Sequence, residues 1–152
     1  HADAYTAVDG NGLTVEKVIP VAGTPFDFRS PKAIGKDIGA DDEQLHNGGG
    51  YDHNFVLDPS GSLKEIAEAV SPKTGVRMKV LTTQPGVQLY TGNSITTPQT
   101  GKNGHVYGRR SGFCLETEHF PHGLACPSFI SPRLNAGEVY RPKTVYAFSL
   151  DG

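Results

Sequence analysis

Glycine and proline punctuate this chain so densely that its apolar runs have little room to become long helices. There are 19 Gly and 11 Pro among 152 residues, and the runs between them have the length of strands. Short apolar runs separated by turn formers favour an all-β chain with many turns. The length suffices for one domain with a core of its own. The formal net charge is −2, with no acidic or basic block, which offers no electrostatic case for a nucleic acid or a membrane surface. No apolar run approaches the roughly 18 residues that span a bilayer as a helix.

Read in order, Leu13 to Val21 alternates and stops at Pro20, which cannot donate to a ladder. Ser30-Pro-Lys-Ala-Ile-Gly-Lys-Asp-Ile38 offers a Ser cap and a Pro at the first helical position, so one or two helical turns are expected there. Asp41 to Gly50 is polar, ends in three glycines and reads as a loop. Asn54 to Leu57 is a short strand. Leu63, Ile66 and Val70 fit a helical spacing, but the turn Ser71-Pro-Lys-Thr-Gly75 and the alternation of Val76 to Thr83 behind it favour a hairpin. Gly86 to Thr91 reads as a strand, Ser94 to Gly104 as a loop, His119 to Ala136 as irregular chain, and Thr144 to Leu150 as the closing strand.

Ser111-Gly-Phe-Cys-Leu-Glu-Thr-Glu-His-Phe120 carries the chemistry. As a strand it sends Phe113, Leu115 and Thr117 to one face and Cys114, Glu116 and Glu118 to the other. Two acids thus share a face with a cysteine, a residue type usually buried. Such carboxylates either need a partner or a task, or belong to a solvated outer face. Cys114 and Cys126 make neither a disulfide framework nor a zinc spacing, and read as free thiols in a reducing, cytoplasmic compartment. His46, His53, His105, His119 and His122 are scattered. His119 and His122 are separated by Pro121, which suits surface or core roles better than a metal pair. No phosphate-cradling loop or Gly-x-Ser-x-Gly elbow occurs. The chain starts at His1, without an initiator methionine or a signal peptide, inside what reads as a strand. A processed polypeptide is the expectation.

Five stretches then occur in one order: Gly23-Thr-Pro-Phe-Asp-Phe-Arg29, Gly50-Tyr-Asp-His-Asn-Phe-Val-Leu57, Pro85-Gly-Val-Gln-Leu-Tyr-Thr-Gly-Asn93, Cys114-Leu-Glu-Thr-Glu118 and Ala136-Gly-Glu-Val-Tyr140. Together they resemble the C-terminal half of the aldose 1-epimerase (galactose mutarotase) family. The resemblance implies a galactose mutarotase-like β-supersandwich of antiparallel sheets with little helix, of which residues 1–152 form the C-terminal part of a single domain. It implies Glu116 as general base, with Asp52 and Gln88 binding the hydroxyls of a monosaccharide such as galactose or glucose. The family's acid histidine, a second sugar-binding histidine and an arginine lie in the N-terminal half and have no counterpart here. A separate N-terminal half polypeptide, or a segment lost by cleavage, is therefore expected. Three departures stand out. Glu116-Thr117-Glu118 replaces Glu-Thr-Gln, so that Glu118 adds a charge able to raise one carboxyl's pKa. Thr74-Gly75-Val76-Arg77 replaces a Ser-Gly-Arg turn, and the loop around Ala125-Cys126 is atypical.

The residue types suit the implied chemistry. Anomer exchange needs a base for the anomeric hydroxyl and an acid for the ring oxygen, so no metal or organic cofactor is expected, and Tyr51 or Phe113 is suited to stack on the sugar's apolar face. Plainer roles stay open: Asp52 as a turn cap, Gln88 as an exposed strand residue, His53 as a packing residue. Two other function classes stay open as well. One is a sugar-binding or regulatory protein without catalysis. The other is a glycoside hydrolase, since Cα atoms two apart on a strand lie about 6.6 Å apart and inverting carboxyls stand roughly 6.5–9.5 Å apart. Neighbouring same-face acids seldom straddle a glycosidic bond, which disfavours the second.

Overall fold

The computed structural model describes residues 1–150. It is nearly all antiparallel sheet, as the glycine and proline pattern requires. The strands are β1 (Ala4–Val8), β2 (Thr14–Pro20), β3 (Asp52–Val56), β4 (Lys64–Val70), β5 (Val76–Thr82), β6 (Gly86–Tyr90), β7 (Gln99–Thr100), β8 (Val106–Tyr107), β9 (Cys114–Glu118) and β10 (Thr144–Leu150). A five-stranded sheet runs β2-β1-β3-β6-β9, and a three-stranded sheet runs β10-β5-β4. β7 and β8 form a small hairpin where a plain loop was expected over part of Ser94 to Gly104. A short turn of 3-10 helix at Lys102–Gly104 joins them.

The turns follow local chemistry. Asp9 Oδ1 accepts from the amides of Asn11 and Leu13, and Gly12 takes φ 76°, so the β1–β2 turn is an Asx turn closed by glycine. Ser71 donates to Val76 O at 2.8 Å, and the β4–β5 hairpin forms as read, with a bulge between Glu65 and Ala67. Pro20 ends β2 at the edge of its sheet.

Two further expectations fail. Asp41 to Gly50 is not all loop: it holds helix α1 (Glu43–Asn47). Asp42 caps it by accepting from Gln44 N and Leu45 N. The helix is held by tertiary contacts rather than propensity: Leu45 is buried, and the Gln44 amide pairs with the Val8 backbone at 2.7 and 3.2 Å. Conversely, Ser30 to Ile38 forms turns instead of a helix. Lys32 Nζ binds Pro25 O at 2.6 Å and Asp37 at 2.8 Å, and lies 4.4 Å from the Phe28 ring centre. That tether folds the segment back on its own loop, and Gly35 adds the low helix propensity of its type.

The core lies between the two sheets. Tyr5 and Phe26 stack at 4.1 Å, with Phe55, Tyr51, Leu89, Ile66 and Val80 around them. A smaller cluster joins Phe120, Cys126 and Phe129. Thr117 and Thr144 hydroxyls meet at 2.6 Å, and Tyr146 donates to Leu115 O at 2.6 Å, tying β9 to β10. The α-amino group of His1 donates to Ile66 O at 2.8 Å, bringing the start of the chain onto β4.

Candidate active site

Three neighbouring strands, β3, β6 and β9, set the site by register alone. Asn54 pairs with Gln88, and Gln88 pairs with Glu116. One step along, Asp52 pairs with Tyr90 and Tyr90 with Cys114. One step the other way, Gly86 pairs with Glu118. Paired residues share a face, so Asp52, Asn54, Gln88, Cys114, Glu116 and Glu118 make one polar surface. The opposite face carries His53, Leu89 and Leu115, again in register, against the core.

Within the polar face, Gln88 Nε2 donates to Asp52 Oδ1 at 2.8 Å along the sheet diagonal. Gln88 Oε1 is buried without a partner among the described residues. Glu116 is exposed, and so is Cys114, in contrast to the burial expected of its residue type. Glu118 is half-buried, and its carboxyl is pushed up to about 7. Burial is the main cause, with the charges of Glu116 and Asp52 adding to it. The expected charge effect of Glu118 is therefore felt by Glu118 itself. Burial also raises the Cys114 thiol, helped by Glu116 and then Asp52.

The loop before β3 aims Asp52. Gly49 and Gly50 take φ 65° and 138°, which only glycine adopts readily. Asn93 Nδ2 donates to Gly48 O at 3.2 Å and to Tyr51 O at 2.9 Å. Arg109 and Arg110 both donate to Gly49 O, at 2.9 and 3.0 Å. A turn-cap role for Asp52 is not what the structure shows: its carboxylate accepts from Gln88.

The three residues singled out in the sequence, Asp52, Gln88 and Glu116, thus come together. Tyr51 does not join them. It is fully buried, donates to Pro25 O at 2.8 Å and packs on Phe26 and Phe28, so it is no stacking surface for a ligand. Phe113 remains exposed. His53 is a core residue: its Nδ1 accepts from Asp52 N at 3.1 Å, and burial lowers its pKa to about 4, against an opposing pull from Asp42. His119 lies over Tyr140, and His122 Nδ1 sits 2.9 Å from Thr14 O, so the two histidines face different neighbours. Among the described residues no group of three His, Cys, Asp or Glu side chains is arranged to hold a metal. Sequence reasoning missed Asn54 and Asn93. The alternation of β3 was the available signal for Asn54, since it places that residue on the face of Asp52. A cavity of about 430 Å³ adjoins the far end of the face, lined by Gln84, Glu118, His119, Arg133 and Tyr140 among others.

Comparison with known proteins completes the description. The sequence model of the family described as aldose 1-epimerase matches residues 1–147. Galactose mutarotase of Rattus norvegicus is 41% identical over 149 residues, covering 98% of this chain and 42% of that protein. Aldose 1-epimerase of Escherichia coli is 39% identical over 151 residues, covering 97% and 43%. Among solved structures, an aldose epimerase homologue from C. elegans superposes with a TM-score of 0.81 at 25% identity, covering 99% of this chain and 44% of that one. The chain therefore spans less than half the length of the relatives it matches.

Proposed function

The chain belongs to the aldose 1-epimerase family, and on that premise we propose that it carries the base side of a mutarotase site that interconverts the α and β anomers of a free aldohexose such as galactose or glucose. The observation that carries this reading is the single polar face on which Gln88 stands between Asp52 and Glu116. Glu116 takes the proton of the anomeric hydroxyl while an acid delivers a proton to the ring oxygen. The bond between the anomeric carbon and the ring oxygen breaks, and the open aldehyde forms. Rotation about the adjacent carbon–carbon bond presents its other face, and the ring closes with both protons returned. Nothing is oxidised or reduced. Asp52 accepts from sugar hydroxyls, and the half-buried Gln88 amide, which steadies Asp52, binds another. An exposed carboxylate on an edge strand is open to a ligand without unfolding anything.

The acid belongs to an N-terminal portion, in the same or a second polypeptide, which this chain would meet as the C-terminal part of the family's domain. Two observations support that. The relatives are more than twice as long, and β10 leaves Phe148 and Leu150 68% and 73% exposed on a sheet face that continues the core. Exposed apolar sheet surface of this kind calls for cover.

The test is intact mass of the native protein together with polarimetry on fresh α-D-galactose and α-D-glucose, repeated with Glu116→Gln. Mutarotation well above the buffer rate that collapses in the variant is expected. Sugar binding with no change in rate would replace this reading with that of a binding protein.

A further inference from the structure

One part of the polar face is not used by the chemistry above. Asn54 is 1% exposed, and neither its Nδ2 nor its Oδ1 has a partner among the described residues. Glu118 Oε1 is likewise buried and unpartnered. Gly86 stands between them. It is the ladder partner of Glu118, and a Cβ built on it would overlap Asn54 Oδ1. The Asn54 amide thus lies in the space that a side chain at position 86 would take, leaning toward the strand that carries Glu118. The Phe120 ring, 3.1 Å from the same Cβ position, closes the gap with apolar surface. Each buried polar atom left without a partner costs about 1–3 kcal/mol, so these groups are strongly driven to meet.

We propose that Asn54 and Glu118 form an acid–amide pair across Gly86, which holds Glu118 as a neutral carboxylic acid and so sets the charge felt by Glu116. A protonated carboxyl has one donor and free acceptor capacity, and a primary amide is its complement. In that pair the acid O–H donates to Asn54 Oδ1 and Asn54 Nδ2 to the other carboxyl oxygen; neither bond is made in the conformation described, so the pair forms by a side-chain rotation of Asn54 or Glu118. A carboxylate lacks the donor and would strand Oδ1. The charged and titratable groups around Glu118 fall on two sides. Glu116 on its own strand and Asp52 on β3 disfavour its ionisation, and Cys114 on the same strand is held as a neutral thiol. His119, Arg133 and Tyr140 line the cavity on its other side. The Glu118 carboxyl is pushed up to about 7, by burial first and then by Glu116 and Asp52. Glu118 acts through Glu116 and is a positioning residue. When it ionises, the added negative charge makes Glu116 a stronger base.

The inference deepens the mutarotase reading and rests on it for its kinetic part, but its structural part has a readout of its own. Isotope-edited infrared titration of the native protein with labelled glutamate, including any N-terminal polypeptide that accompanies it, is expected to show a protonated carboxyl at pH 6. That band should titrate near 7 and be missing in Glu118→Gln. In Asn54→Asp the same ionisation moves up by roughly one pH unit or more, because a second carboxyl now shares the pocket. The pH profile of kcat/KM is expected to climb through neutral pH by a step of roughly two- to fivefold that Glu118→Gln removes. An unlabile carboxylate signal in the wild-type protein at pH 6 overturns the pair, even if neither variant folds. A titration unmoved by Asn54→Asp overturns the contact with Asn54. A kinetic step that persists in Glu118→Gln overturns the coupling to Glu116. Absence of mutarotation alongside the expected infrared titration counts against the proposed function and leaves the pair standing.

Discussion

Gln88 and Asp52 are joined by a 2.8 Å hydrogen bond that crosses the β3–β6 ladder on the diagonal rather than between paired residues. The bond fixes which way the Gln88 amide points. Its nitrogen donates to Asp52, and its oxygen is buried without a partner among the described residues. Gln88→Glu removes the donor and sets a third carboxylate beside Asp52 and Glu116. A hydrogen bond to a charged group contributes about 1.5–3 kcal/mol, so kcat/KM for mutarotation is expected to fall roughly 10- to 100-fold. Stopped-flow polarimetry measures it, and an unchanged value would remove Gln88 from the site.

Glu118 and His53 place opposing pH dependences on stability. The Glu118 carboxyl is raised from 4.5 to about 7 in the folded state. Between those values the folded protein binds more protons than the unfolded chain, so stability falls as pH rises and the loss is complete above 7. Screening of this half-buried group reduces the effect to on the order of 1–2 kcal/mol. Glu118→Gln is expected to abolish that loss. Urea denaturation at a series of pH values reads it directly.

His53 works the other way. Its folded pKa is lowered from 6.5 to about 4, so the unfolded chain takes up a proton that the folded core refuses. Stability is complete above 6.5 and declines as pH falls toward 4, by roughly 3 kcal/mol. In the wild-type protein the two slopes oppose each other between pH 4.5 and 6.5. His53→Asn keeps an acceptor for Asp52 N and removes the imidazole, so its stability should decrease monotonically with rising pH over that window. If both variants track the wild-type slope, neither group is titrating as described.

Gly86→Ala tests the gap that Asn54 occupies. The new methyl meets Asn54 Oδ1 and sits 3.1 Å from the Phe120 ring. Both neighbours are buried, and overpacking of this kind costs about 1–3 kcal/mol. The thermal midpoint by circular dichroism should drop. An unaltered midpoint would mean that Asn54 has room to turn away.

The exposed apolar side chains of β10 lead to a binding experiment. Phe148→Asp introduces a charge at a site 68% exposed in this chain, so it should leave the isolated fold nearly unchanged. It should weaken association with the N-terminal portion at least tenfold if that portion covers β10. Sedimentation of the mixed polypeptides, or their co-elution, distinguishes the outcomes.

Much of this was legible in the sequence, and the failures have definite causes. The alternation from Phe113 to Glu118 gave the correct two faces because a strand has a fixed period. It could not give exposure, which depends on what covers the strand: Cys114 was read as a buried type and lies open. The family resemblance singled out Asp52, Gln88 and Glu116, but only the register of β3, β6 and β9 shows that they adjoin. Helix α1 was missed because five residues carry too little periodicity, although Asp42 was a visible cap. The turns at Ser30 to Ile38 override a plausible helix start because Lys32 binds Pro25 O outside the segment as well as Asp37 within it. Tyr51 follows an exposed-looking glycine run, yet its side chain points opposite to that of Asp52 and enters the core.

The hydroxyl of Tyr146 has a role beyond linking the two sheets. β9 is the last strand of its sheet, and the free rim of such a strand is a template for a stray chain to zip onto. Tyr146 occupies the Leu115 carbonyl at the middle of β9. An incoming strand would have to evict a 2.6 Å hydrogen bond before it could run the length of that rim. The Glu116 carboxylate can therefore stand open to solvent while the backbone beneath it is guarded against amyloid-like growth.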